Sequence, residues 1–246
     1  MKKLGIGCLS ILGILLVIGI IGFVMNNESL PKGESGAQAD ALAQKMLVQL
    51  NKNAWDTLNY ASWSFMDQHH YIWDKEDNDA VVSWGDNKVV MDLDEVTGDA
   101  YVSGTAITDT DKNQDLVSTA WGYWCNDSFW FSAPYKVFDK DTERSIVKTD
   151  EGKEALMVNY NGGGVTPGDS YMWLLDDTGM PYAYKMWTKI LPLGGIEAQW
   201  SDWQTLPGGA KIAQNHSIGG LMNVKITDIK AGESIADLGL SADPFQ

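Results

Sequence analysis

Arginine is almost missing from this chain: Arg144 is the only one among 246 residues. Lysine and arginine together number 18 against 33 acidic residues. Setting aside Lys2 and Lys3 at the N-terminus leaves 16 against 33, a formal charge of −17 on everything that follows. A nucleic-acid surface needs clustered lysine and arginine to displace counterions, and arginine to read guanine. An anionic headgroup surface needs a basic patch as well. The composition excludes both partners, and the acidity reads as solubility and colloidal repulsion.

Cysteine is equally scarce. Of the two present, Cys8 sits in an apolar run, which leaves Cys125 alone beyond it and permits no disulfide within the domain. A chain of this length can rely on its core instead of staples. Cys125 closes the stretch Trp121-Gly-Tyr-Trp-Cys125. That aromatic setting reads as an inert buried thiol, whereas a catalytic thiolate wants a nearby His or Lys and some exposure.

The signatures of common chemistries are missing too. There is no Gly-x-Ser-x-Gly elbow, His-Glu-x-x-His zinc pair, phosphate-cradling loop or dinucleotide fingerprint. Asn161-Gly-Gly-Gly has no Lys-Ser/Thr after it, so it reads as a turn. The histidines are His69, His70 and His216. Neighbours on a strand point to opposite faces, so His69 and His70 cannot both ligate one metal in regular strand geometry. Each histidine reads as a hydrogen-bonded structural residue. A carboxylate converging on His69 or His216 would instead make a convergent hydrolytic site. The metal candidate is Asp109-x-Asp111-x-Asn113-x-Asp115, whose alternating oxygens could wrap a calcium ion. It is a weak one. The calcium loop wants Gly at its sixth position and Glu at its twelfth, and Gln114 and Ala120 stand there. A solvated acidic loop is the better reading, and no cofactor is expected.

What the sequence does have begins at the N-terminus. Leu4 to Met25 is an apolar run without a charge, preceded by Lys2 and Lys3. As a helix it would reach ~33 Å, enough for a hydrocarbon core of ~30 Å. Ala37-Gln38-Ala39 lies too far downstream to be its cleavage site, and Leu4 to Gly7 is too short a lead for lipidation at Cys8. Residues 1–25 therefore read as an uncleaved single-pass anchor in a bacterial cell membrane, with a cytoplasmic N-terminus because positive flanks stay inside. Residues 26–38, with Pro31, Gly33 and Gly36, read as a flexible linker. Residues 39–246 read as an extracytoplasmic β-rich domain, periplasmic where the cell has an outer membrane.

Within that domain Ala39, Leu42, Ala43, Met46, Leu47 and Leu50 recur at helical spacing, with Ser35 and Gln38 placed for a capping box. From Trp63 the period changes to two. Trp63, Phe65, His69, Tyr71 and Trp73 fall on one face of a strand pattern, and Gly85-Asp86-Asn87 joins a hairpin. Asp109 to Asp115 reads as a polar interruption, Leu116 to Trp124 as a short helix and Phe129 to Phe131 as a strand. The second half alternates strands with Gly-rich turns. The pattern implies an α+β fold: an antiparallel, strongly curved sheet wrapped around an N-terminal amphipathic helix.

Two stretches carry a resemblance. Ala133-Pro-Tyr-Lys-Val-Phe-Asp139 followed by Gly164-Val-Thr-Pro-Gly-Asp169-Ser-Tyr171 resembles a family of uncharacterised exported bacterial proteins. Asp176-Asp-Thr-Gly-Met-Pro181, with Met186 and Trp200 after it, resembles a hairpin of the periplasmic lipoprotein carriers, the LolA-like superfamily. The resemblance implies a half-open β-barrel whose concave side is plugged by helices and binds acyl chains or lipoproteins. A shuttling carrier must diffuse freely, so a permanent anchor implies a fixed binding domain instead.

Eleven tryptophans are many for this length, and seven fall on expected strands. Aromatic rings fill sheet cores, line apolar cavities or sit at membrane interfaces. The cavity candidates are Trp63, Phe65, His69, Trp73, Trp187 and Trp200. The functional expectation is a non-catalytic binding domain for a lipid, an acyl chain or a lipidated protein segment, with the bilayer as its other partner. The alternatives are an envelope interaction or scaffold domain with a filled core, and, with least support, a hydrolase around His69 or His216.

Overall fold

The computed structural model describes residues 27–246. The apolar run from Leu4 to Met25, and the anchor expected there, lie outside the described residues. Among those described, no helix is long and apolar enough to cross a membrane.

The chain opens with β1 (Glu34–Ser35) and two consecutive helices, α1 (Ala37–Leu50) and α2 (Lys52–Asp56). A first meander follows: β2 (Tyr60–Phe65), β3 (His69–Asp74), β4 (Asp79–Trp84), β5 (Asn87–Asp92), β6 (Thr97–Val102) and β7 (Thr105–Ala106). A long helix, α3 (Thr110–Ser132), leads to the second meander. That consists of β8 (Thr142–Lys148), β9 (Glu154–Tyr160), β10 (Asp169–Leu175), β11 (Pro181–Trp187), β12 (Ile196–Thr205), β13 (Lys211–Ile218) and β14 (Met222–Gly232).

All the strands form one antiparallel sheet of 14, in the order β1-β8-β9-β10-β11-β12-β13-β14-β2-β3-β4-β5-β6-β7. The meanders are joined where β14 pairs with β2, with Ile226 opposite Phe65 and Gly232 opposite Tyr60. The sheet is not closed. Its edges are β1 and β7, only two residues each, which leaves little unpaired backbone for another chain to extend.

One face of the sheet carries the main core. Ala43, Met46, Leu47 and Leu50 of α1 are buried there together with the apolar face of α3 and the inward residues of both meanders. The spacing expected for α1 is the one observed. Its N-cap is Gly36, without a side-chain bond, because Ser35 is taken up in β1 and cannot form the expected box.

The long helix departs from expectation. Asp109 caps it by accepting from Lys112 N at 2.9 Å, so the polar stretch after Asp109 becomes two exposed turns and not a loop. Phe129 to Phe131 continues the same helix and forms no strand. Its 23 residues span about 35 Å.

The opposite face has a smaller buried cluster of Val147, Ala155, Met157, Met172, Leu174 and Ala183, with Trp187 packed against it. Part of the stretch expected to be a tether lies on this face. Glu28 O accepts from Trp187 Nε1 at 2.8 Å, and Glu28 Oε1 receives Lys185 Nζ at 2.7 Å.

Candidate functional site

The core is organised around the C-terminal half of α3. Consecutive helical residues point about 100° apart, so Phe129, Trp130 and Phe131 fan out in three directions. Phe129 meets Tyr171 of β10 with ring centroids 4.6 Å apart. Trp130 lies 5.6 Å from Tyr184 of β11 and 5.3 Å from His216 of β13. Phe131 stacks on Trp63 of β2 at 4.1 Å. Three neighbouring side chains thus reach three sectors of one sheet.

On the β2–β3 side Trp63 is sandwiched between Phe131 and Tyr71, with the Tyr71 ring 4.8 Å away. The register pairs Trp63 with Tyr71, Phe65 with His69 and Ala61 with Trp73, which places the expected aromatic row on one face. A carboxylate enters this row from α3. Asp127, 2% exposed, accepts through Oδ2 from the Tyr71 hydroxyl at 2.6 Å and lies 2.7 Å from His69 Nδ1. Its other oxygen takes the Asn126 amide at 2.7 Å. Burial, with Asp127 beside it, holds the Tyr71 phenol well above its ordinary pKa, so it donates as a neutral hydroxyl. Nδ1 is therefore the His69 ring atom that faces the carboxylate. His69 also stacks on Tyr123 at 4.0 Å.

This pair has the base and the orienting acid of a hydrolytic site without its nucleophile. Among the described residues no Ser, Thr or Cys is hydrogen-bonded to His69. His70, on the other face of β3, does meet a hydroxyl: Ser64 Oγ is 2.8 Å from His70 Nδ1 and donates to Asp228 Oδ2 at 2.9 Å. The order is wrong for nucleophilic catalysis. The hydroxyl's single proton points to the Asp228 carboxylate, so His70 is not the group placed to take it.

On the β10–β13 side Trp200 lies 5.0 Å from Trp173, 5.5 Å from Tyr184 and 4.2 Å from His216. His216 is completely buried and neither ring nitrogen has a hydrogen-bond partner. Burial pushes its pKa down to about 3, and the nearby Ala213 backbone, too poorly placed to count as a partner, opposes this only weakly. His69 and His216 occupy different sectors of the core and form no pair.

The six cavity candidates therefore separate. Trp63 and Trp200 are packed inside, 2% and 3% exposed, and Phe65 is buried beside them. His69 is engaged with Asp127. Trp187 is a correction: it lies on the opposite face, because Ala183, Lys185 and Trp187 alternate with the inward Tyr184 and Met186. Trp73 lines a pocket of about 180 Å³ that it shares with Trp121, Trp124, Asn78, Ser132 and Lys136.

The oxygen-ligand candidate is also rearranged. Asp109 is committed to its cap, while Asp111, Asn113 and Asp115 follow the helical path instead of wrapping a centre. Asn113 bridges to β6, accepting from Ala100 N at 2.8 Å and donating to Gly98 O at 2.9 Å. Among the described residues no group of three or more His, Cys, Asp or Glu is placed to hold a metal. Cys125 is part-buried, and burial pushes its thiol up to about 12.

Asp127 was missed because a short helix ending at Trp124 and a strand at Phe129 leave it in a gap. The signal was present. Val117, Ala120, Trp124, Asp127 and Phe131 recur at three- and four-residue spacing along one helix face. Comparison with known proteins finds no match among family models, curated proteins or solved structures.

Proposed function

We propose that this chain is a membrane-anchored, extracytoplasmic and non-catalytic interaction domain that works through its surface and keeps a filled interior. The observation that carries this reading is the packing of α3. Trp130 and Phe131 occupy the space that Trp63 and Trp200 would otherwise offer to a ligand. The pocket of about 180 Å³ beside Trp73 falls below the ~300–1,000 Å³ of ordinary small-molecule sites. The half-open barrel of the lipoprotein carriers belongs to the same proposal. It is supported by the open antiparallel sheet and by the contacts of Phe129, Trp130 and Phe131 with separate sectors of it. The anchor is supported by the uncharged run from Leu4 to Met25.

Native mass spectrometry of the full chain, released from its host membrane in mild detergent, tests the proposal. The expected spectrum is protein without a stoichiometric lipid or fatty acid. One equivalent of retained lipid, lost in Trp73→Ala, would favour the second reading, an apolar-ligand site. That reading has one observation of its own: Trp73, Trp121 and Trp124 line a pocket beside Trp63's side of the core, and Trp73 Nε1 has no partner.

A further inference from the structure

The hairpins of an antiparallel meander alternate between two ends of the sheet. At one end lie residues 161–168, 188–195 and 219–221, joining β9 to β10, β11 to β12 and β13 to β14. These adjacent loops present Val165, Ile190 and Leu221 to solvent, at 56%, 68% and 97% exposure, and Met222, the first residue of β14, follows at 50%. Half of the large apolar side chains exposed among the described residues are therefore on these three neighbouring loops or the strand residue next to one of them. The same loops contain no acidic residue, in a chain with 33 of them. Their one charge, Lys189, is turned onto the Pro167 carbonyl.

The other end of the same strands differs. Of its hairpins, 149–153 and 176–180 carry Asp150, Glu151, Asp176 and Asp177, 206–210 is uncharged, and none exposes a large apolar side chain.

The apolar tips are also held in place. Asp169, 5% exposed, accepts from Thr166 Oγ1 at 2.7 Å and from Lys189 N at 2.9 Å, tying the first two loops together. The N-terminal segment is fastened to the same rim. Gly194 N donates to Asn27 Oδ1 at 2.9 Å, and Glu28 N donates to Gly194 O at 3.0 Å. A Cβ at Gly194 would stand 2.4 Å from the Trp187 ring and 2.6 Å from Glu28 O, so this approach requires glycine.

Met25, the end of the apolar run, is two residues before Asn27, a reach of at most about 7 Å. We propose that the rim formed by residues 161–168, 188–195 and 219–221 docks onto the bilayer that the N-terminal run enters, with Ile190, Leu221 and their neighbours inserted at the headgroup–acyl boundary. A lipid surface fits the rim by chemistry. Its tips are apolar, its backbone is glycine-rich, and it lacks the basic patch that anionic headgroups would reward, so the contact is hydrophobic and insensitive to salt. This inference rests on the anchor reading.

The test uses the full chain in phosphatidylcholine vesicles, with Cys8→Ala and Cys125→Ala as background. Nitroxide labels are placed singly at Leu15→Cys, Ile190→Cys, Leu221→Cys and Asp177→Cys. The expected result is a several-fold higher ratio of oxygen to water-soluble nickel-chelate collisions at 190 and 221 than at 177, unchanged in high salt. Ile190→Asp combined with Leu221→Asp returns a label at Val165→Cys to water, with circular dichroism unchanged because these positions are exposed. A lipid-like label at 15 with water-like labels at 190 and 221 overturns the docking and leaves the anchor standing. A water-like label at 15, or failure to float with the vesicles, overturns the anchor and the docking together. Labels at 190 and 221 shielded from both quenchers point to a protein partner and overturn the docking as well.

Discussion

The two sides of the aromatic core hold their histidines in opposite ways. Beside β3, Asp127 gathers the Tyr71 hydroxyl and His69 Nδ1 onto one oxygen, so the helix is fixed to the sheet by directional bonds. Beside β13, His216 meets the rings of Trp130 and Trp200 and finds no partner for either nitrogen. An unanswered polar group in an apolar interior is expensive, and a charge there more so. The first side therefore sets the rotation of α3 over the sheet. The second contributes packing area and carries a latent sensitivity to acid.

Acid separates the two sides most strongly. His216 takes no proton in the folded chain until about pH 3, whereas unfolded histidine does so from its ordinary 6.5. Across that window the unfolded chain binds more protons, so stability is complete above 6.5 and falls as the pH drops. The loss from this residue approaches about 5 kcal/mol below pH 3 and is about 3 kcal/mol at pH 4. Urea unfolding at pH 7 and pH 4 measures it against His216→Phe, in which that part of the slope disappears. Equal slopes in the two proteins would remove His216 from the account.

A smaller effect is expected on the other side. Asp127→Ala leaves the Tyr71 hydroxyl buried without its acceptor and should cost about 1–3 kcal/mol in chemical denaturation. Asp127→Asn, which keeps an acceptor oxygen, should recover part of it. If both substitutions are silent, the rings alone hold α3 and the contrast drawn between the two sides fails.

The smallest effect belongs to the start of the same helix. Asp109→Ala removes the bond to Lys112 N and should cost about 1 kcal/mol, the usual worth of an N-cap. A change in calcium affinity larger than the change in stability would instead restore Asp109 as a ligand.

The meander was legible because period two and glycine turns are local signals, and the pairs Ala80–Met91 and Val82–Val89 fall where the alternation puts them. The aromatic row from Trp63 to Trp73 was legible for the same reason. The long helix was not. Its first turns are polar, and after Trp124 the helix is buried on several sides, so the row from Val117 to Phe131 is not set off by a polar face in its last turns. Trp187 and Trp200 looked alike in sequence, yet they lie on opposite faces of the sheet.

The sequence by itself determined the antiparallel strands, the amphipathic α1, the excess of acidic over basic residues and the row of aromatic residues. Each follows from composition or from spacing within a few residues. Tertiary structure alone decided that Asp127 meets His69 across 58 positions of chain, that His216 is sealed without a partner, and that α3 fills the space between them. It also gathered three hairpins without an acidic residue, far apart in sequence, onto one apolar rim beside Asn27. The physical reason is the same throughout: periodicity says which face a residue takes, whereas what lies opposite that face depends on how distant segments pack.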